Sequence, residues 1–301
     1  MKLYNPDLYK EHFIRTCMEE VRVIGVSGAS SKRPKAPAFV HLTTLNSSWE
    51  GLRSVIPNVL NLGVIGYPFI NPGPVGGEVT NGSRAGRLTP EEGAELFRIP
   101  RQLAAETNGT EAGPGLHFNQ SAIPETELYI RWWQLATFLP QLHFTTPPSV
   151  YRDYNIAPVA KALKDIKENI VNPKLISFGR EAMELSKPVI RPLWMLDPTD
   201  PVAQRIDDQF LIGDKILVAP VLHKGARRRD VYLPRSEQGA GVWKRGTDGT
   251  FFEGGQWLNN SVADLDTVLF YLRQDDLARP GAKLKPSKAF LNVKTSENKV
   301  T

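Results

Sequence analysis

The apolar pattern changes character at Pro188, and no other feature of the 301-residue chain limits its fold as much. Beyond that point seven segments are strand-like: 190–195, 210–212, 216–222, 230–233, 242–245, 250–253 and 267–272. No helical period falls between them, and Asp248-Gly249 is a hairpin turn signal. Short strands at this spacing predict an antiparallel β-sandwich.

Before Pro188 strand-like and helical stretches alternate. Segments 21–26 and 64–70 read as strands, the second fully buried. Between them Trp49, Leu52, Val55, Ile56, Val59, Leu60 and Leu62 recur at helical spacing. Ser47 or Ser48 serves as N-cap, Glu50 suits the first turn, Gly63 the stop, and Pro57 predicts a kink. A second cycle follows: an aromatic-rich helix over 128–139 stopped by Pro140, a short strand over 142–144, and an amphipathic helix with Val159, Leu163, Ile166 and Ile170 on one face. Such alternation argues a parallel array with both faces covered. The fold class expected is therefore α/β, then all-β.

Two stretches fit neither part. Residues 79–124 are dominated by Pro, Gly, Thr, Asn and Glu, with helical character only over 95–107, and read as an insertion. Residues 279–301 mix Pro, Gly, Ser and Lys without period and read as a disordered tail. That tail holds Arg279, Lys283, Lys285, Lys288, Lys294 and Lys299 against one acid, Glu297, so it carries the whole formal charge of +5. The remainder is neutral, and no nucleic-acid partner is expected. No apolar run reaches the roughly 18 residues of a membrane span, and no signal-peptide pattern follows Met1. The single cysteine, Cys17, excludes a disulfide framework, and no Cys/His cluster could hold zinc. No cofactor is expected.

Common catalytic sets are missing. There is no G-x-S-x-G elbow, no phosphate-binding Gly-rich loop ending in Lys, and no dinucleotide fingerprint. The five histidines, His12, His41, His117, His143 and His223, include no pair at i, i+4; His143, on a predicted strand, reads as a hydrogen-bonded structural residue. Asp207-Asp208 are adjacent, so their carboxylates point apart, while Asp197 and Asp200 in LDPTDP read as caps and turn acceptors. Five N-x-[ST] sequons, at Asn46, Asn81, Asn108, Asn119 and Asn259, tilt the chain toward a secretory-pathway lumen, where Cys17 would be a free thiol.

Three segments together resemble glycoside hydrolase family 31: WEGLRSVIPNVLNLGVIGYPFI from Trp49, ELYIRWWQLATFLPQLHF from Glu127, and PVIRPLWMLDPTDPVAQRIDDQFLIGDKILVAPVLHKGARRRDVYLP from Pro188. WKRGTDGTFFEGGQ is similar to a family hairpin, and the whole is most similar to the myogenesis-regulating glycosidase branch. The resemblance implies the carboxyl-terminal part of a (β/α)8 barrel over 1–188, interrupted by the insertion, and a β-sandwich domain over 189–278. It also implies that half the barrel strands lie upstream of Met1. Family members hydrolyse O-glycosyl bonds of α-glucosides or α-galactosides with two aspartates about 5–5.5 Å apart, one nucleophile and one acid/base.

Carried over residue by residue, the resemblance leaves no catalytic residue in this chain. The nucleophile motif W-x-D-M-N-E has no match. Thr44 occupies the acid/base position, five residues before Trp49, and a hydroxyl cannot shuttle that proton. Gly73 stands where a sugar-contacting aspartate is usual, and Thr145 where a histidine is usual, with His143 two positions away. Packing and junction positions (Trp49, Trp132, Trp133, Phe138, Trp194, the RPL run and DDQF) persist. Two functions follow: a family 31 glycosidase whose chemistry these residues do not complete, or a non-catalytic scaffold binding a sugar or a protein. Carbohydrate is the expected ligand class, and an incomplete barrel has open sheet edges that favour self-association.

Overall fold

The computed structural model describes residues 24–27, 38–79, 123–151, 156–236, 239 and 241–274. Residues 8–20, where the sequence also permits a helix, residues 80–122 of the insertion expected over 79–124, and the tail expected over 279–301 lie outside the described residues.

Three short parallel strands, β1 (Ile24–Ser27), β2 (Ala38–His41) and β3 (Ile70–Asn71), form a sheet in sequence order. Helix α1 (Trp49–Val64) crosses from β2 to β3. Ser48 is its N-cap: the backbone is extended there, and Oγ accepts from the Gly51 N–H at 3.0 Å, satisfying an amide the helix leaves without a partner. Glu50 lies in the first turn as expected, and Leu52, Val55, Ile56, Val59 and Leu60 are buried. The helix is continuous through Pro57 and does not stop at Gly63. Gly63 is instead a contact position, where a Cβ would lie 3.1 Å from the Ile190 carbonyl and the Pro188 ring. The fully buried strand expected over 64–70 is thereby corrected. Val64 belongs to the helix, Val64 and Ile65 are exposed, and only Ile70 and Asn71 are strand.

Helix α2 (Thr126–Ala136) is buried at every residue from Leu128 onward, including Trp132 and Trp133. The expected strand over 142–144 is reduced to one parallel bridge between Pro74 and His143. Helix α3 (Ala157–Ile166) buries Val159 and Leu163, then continues through a π turn at Lys167–Val171 into α4 (Asn172–Leu185). Pro173 follows the π turn, where its missing N–H leaves the preceding turn one backbone bond short.

The strand-rich part holds β4 (Ile190–Arg191), β5 (Phe210–Ile212), β6 (Ile216–Val218), β7 (Arg228–Leu233), β8 (Val242–Arg245), β9 (Phe251–Glu253), β10 (Gln256–Val262) and β11 (Phe270–Arg273). Six of them form one antiparallel sheet in the order β4-β5-β6-β11-β8-β9, while β7 and β10 pair as a separate antiparallel ribbon. Each of the seven predicted segments contributes a strand, and β10 is additional.

Period-two alternation explains how the layers meet. Phe210, Ile212, Ile216, Val218 and Phe270 share a core with residues of α1, α2, α3 and α4. Leu211, Leu217 and Tyr271 point the other way, into a second core with Trp243 and the ribbon residues Val231, Tyr232 and Leu233. The six-stranded sheet is thus a middle layer, helices on one face and ribbon on the other. Two antiparallel sheets enclose the second core, as in a sandwich.

Buried polar groups fasten these layers. Arg131 of α2 donates to the carbonyls of Ala226, Ala263 and Asp264 and to Gln134 Oε1, and Gln134 donates to Leu265 O. Arg191 donates to Pro188 O at 2.7 Å and Glu181 at 3.0 Å, its guanidinium 5.3 Å from the centre of the Phe178 ring.

Candidate functional site

Parallel α/β sheets present functional groups where strands end, so the site is built from the C-terminal ends of β2 and β3. His41 closes β2 and Asn71 closes β3, with His41↔Asn71 in register. Asn71 is buried, and its Oδ1 accepts the Gly73 N–H at 3.0 Å. That bond fixes the amide orientation, so Nδ2 faces the His41 ring, 3.0 Å from Nδ1 and 3.3 Å from Nε2. The ring of His41 is otherwise exposed.

Backbone bonds join the loops that follow. Glu78 N–H donates to Leu45 O at 2.8 Å, Ser47 N–H donates to Glu78 O at 2.7 Å, and Val75 N–H donates to His143 O at 2.8 Å. The turn is tight: a Cβ on Gly51 would sit 2.1 Å from the Asn46 carbonyl oxygen, and one on Gly77, 2.8 Å. Behind the third loop Tyr129 donates to Thr146 O at 2.7 Å, and Phe144 meets Trp133 edge-on at 5.1 Å. Burial pushes the Tyr129 and Tyr151 hydroxyls up, so both phenols stay neutral.

The three positions that the family resemblance singles out lie on these joined loops. Thr44 is exposed directly after β2, and Thr145 is exposed beside the Pro74–His143 bridge. Gly73 has φ +86°, and a Cβ there would meet nothing within 4 Å, so the place a side chain would fill is open space. Residues 41–46 and 71–77 contain no carboxylate. The sequence reading does not single out Glu78, the first acid after β3, whose backbone is tied to the loop carrying Thr44 and whose side chain is exposed. The signal that would have found it is the register of the two loops, which a linear reading does not contain. Trp49, at the start of α1, packs on the main core with its indole Nε1 buried and unpartnered among the described residues.

The remaining expectations divide. His143 is exposed and contributes its backbone to the bridge, and among the described residues the histidine with a ring hydrogen bond is His41. Asp197 accepts from Thr199 N–H and Oγ1, and Asp200 from the Val202 and Ala203 amides and the Tyr232 hydroxyl, as turn acceptors should. Asp208 pairs with Arg229 at 2.8 Å, and both Asp207 and Asp208 are exposed, far in sequence from the strand ends. Asn46 and Asn259 are exposed; Asn81, Asn108 and Asn119, with His12, His117 and Cys17, lie outside the described residues. Among the described residues no His, Cys, Asp and Glu gather as a metal centre, and no helix is long and apolar enough to cross a membrane.

Comparison with known proteins bears on this architecture. Residues 186–277 match the family model described as the glycosyl hydrolase family 31 C-terminal domain. The myogenesis-regulating glycosidase of Mus musculus is 36% identical over 77% of this chain and 28% of its own length. The chain belongs to glycoside hydrolase family 31. The SITS-binding protein of Tetronarce californica is 32% identical over 84% of the chain and 30% of its own length, so the chain spans under a third of either relative. Among solved structures, the family 31 dextranase of Flavobacterium johnsoniae, complexed with glucose, superposes with a TM-score of 0.57 at 23% identity. That superposition covers 78% of this chain and 25% of the dextranase and shows a shared fold.

Proposed function

We propose that these 301 residues form a non-hydrolytic portion of the family 31 scaffold: part of a (β/α)8 barrel over 1–188 and a β-sandwich unit over 189–278. The observation that carries this reading is the chemistry of the strand ends. Retaining hydrolysis needs two carboxylates about 5–5.5 Å apart across the glycosidic bond. The loops after β2 and β3 offer Thr44 and the open space at Gly73, with Glu78 the acid at their rim among the described residues. One carboxylate cannot both attack the anomeric carbon and protonate the leaving oxygen in the same step. What remains supports hydrogen bonding to hydroxyls, and carbohydrate is the ligand class the family relationship favours.

The test is release of fluorophore from α-glucosides and α-galactosides by the purified chain. No turnover above the buffer rate is expected. Turnover that disappears in Glu78→Gln overturns the proposal and makes Glu78 the working acid.

An apolar surface beside the parallel strands also supports self-association. Phe39, Phe69, Leu175, Ile176, Met183 and Val189 line an apolar cavity of about 520 Å³ between the parallel strands and α4, and Ile176 is 62% exposed. Exposed apolar surface of this kind favours burial against another chain. Sedimentation velocity is expected to show species larger than 33.6 kDa.

A further inference from the structure

The ribbon side of the molecule carries a second cleft, remote in sequence from the strand-end site. It encloses about 610 Å³ and is lined by Arg245, Phe252, Trp257, Asn259, Asn260 and Thr267 among others. Trp257 of β10 is 45% exposed although it is the largest side chain of its strand, and its ring centre lies 5.3 Å from that of Tyr232, which holds it in place. Arg245 lies over Phe252, with its guanidinium carbon 4.7 Å from the ring centre; its Nη1 donates to Asp248 at 3.0 Å, and its Nε is buried without a partner among the described residues. The register of β7 and β10 shifts between Leu258 and Ser261, so Asn259 and Asn260 are extruded from the ladder. Asn260 is held at φ +55°, an uncommon backbone for a residue with a side chain, by Asp230 accepting its N–H at 2.7 Å and Arg228 donating to its carbonyl at 3.2 Å.

Such a wall matches one ligand chemistry. A pyranose ring has an apolar face of C–H groups that packs on an exposed indole, and an equatorial rim of hydroxyls that needs amide and guanidinium partners. We propose that this cleft is a saccharide-binding site, with Trp257 as the platform and Asn259, Asn260 and Arg245 as its polar partners. The sugar reaches it from one of two sources. Asn259-Asn260-Ser261 is itself a sequon, so the first sugars of a glycan on Asn259 can fold back onto Trp257, two residues away in the same cleft wall; otherwise a free oligosaccharide enters. The proposal goes beyond the strand-end reading and is independent of it, since turnover there would leave the outcome here unchanged.

Two arms separate the sources. Protein made in bacteria, and so without N-glycans, is titrated calorimetrically with maltose, isomaltose and di-N-acetylchitobiose. Binding by a free sugar gives a saturable response that weakens about tenfold in Trp257→Ala and is retained in Trp257→Tyr. Protein from a secretory host is analysed by peptide mass at Asn259, then melted before and after enzymatic deglycosylation. Binding by its own glycan gives a Tm that falls on deglycosylation in the wild type and stays unchanged in Trp257→Ala. Either pattern supports the site and identifies its source. The proposal is overturned if no sugar gives a Trp257-dependent response and Asn259 is bare, or if its glycan alters Tm regardless of Trp257.

Discussion

Some residues of the strand-end loops are legible in the chain without any knowledge of the fold, and others only once the loops lie side by side. Thr44 and Gly73 are legible because the family resemblance expects carboxylates at their places, and the structure adds that a Cβ at Gly73 would meet nothing within 4 Å. Glu78 and the His41–Asn71 pair are not legible, since both depend on which loops lie side by side. Lys167 is a further residue that only the structure reveals. It sits in the π turn and donates to Leu139 O at 2.6 Å, beyond the C-terminal end of α2. Burial lowers its ammonium from 10.5 to about 8. A folded-state value below the unfolded one means that between about pH 8 and 10.5 the unfolded chain binds more protons, so stability rises with pH through that window and the penalty is fully present below it. Thermal melts from pH 7 to 10.5 are expected to show this rise in the wild type and its loss in Lys167→Met. Parallel pH profiles for the two proteins would contradict a buried ammonium at this position.

Elements are legible where one period dominates. Helix α1 announces itself by its apolar spacing and by Ser48, and the hairpin joining β8 and β9 by Asp248-Gly249, whose Asp248 accepts the Thr250 N–H at 3.0 Å. Burial pushes its carboxyl up, but hydrogen bonds from Thr250 and the charge and hydrogen bond of the neighbouring Arg245 together hold it below the usual range. Strand β10 escapes a linear reading because Asn259 and Asn260 interrupt its alternation, and the bulge that accommodates them is a property of the pair β7–β10. Helix α4 escapes because Pro173 and Gly179 disguise its start and middle; Gly179 is small where the helix passes Phe69, since a Cβ there would lie 3.2 Å from that ring. The docking of α4 against the six-stranded sheet can be tested at Gly213, in the turn between β5 and β6. Gly213 has φ +56°, and a Cβ there would lie 2.2 Å from the Phe178 ring of α4. Gly213→Ala is expected to cost about 2–4 kcal/mol, combining a strained backbone with overpacking. Urea denaturation measures it, and an unchanged midpoint would refute the contact between Phe178 and this turn.

At the scale of the whole molecule, the apolar pattern divides the chain into an α/β piece and an all-β piece, and the chain does change character near Pro188. What a linear pattern cannot convey is that the two pieces share a core. The strands β5, β6 and β11 read as short continuous apolar runs, and such runs are apolar on both sides because both sides are covered. One side belongs to the ribbon, the other to the helices. The family model covers 186–277, yet within those residues Phe210, Ile212, Ile216, Val218 and Phe270 are buried against residues outside them. Exposing these five side chains forfeits roughly 1.5–3 kcal/mol each, together as much as the entire stability of an ordinary domain, about 5–15 kcal/mol. The carbonyls of Ala226, Ala263 and Asp264 lose the buried guanidinium of Arg131 at the same time. Residues 186–277 excised alone are therefore expected to lack a cooperative thermal transition, to bind a hydrophobic dye, and to lose the near-ultraviolet circular dichroism of Trp243, which is fully buried in the chain. A sharp melt of the excised segment with native-like Trp243 signal would mean that the second core alone suffices, and that the helical layer rests on the sheet without supporting it.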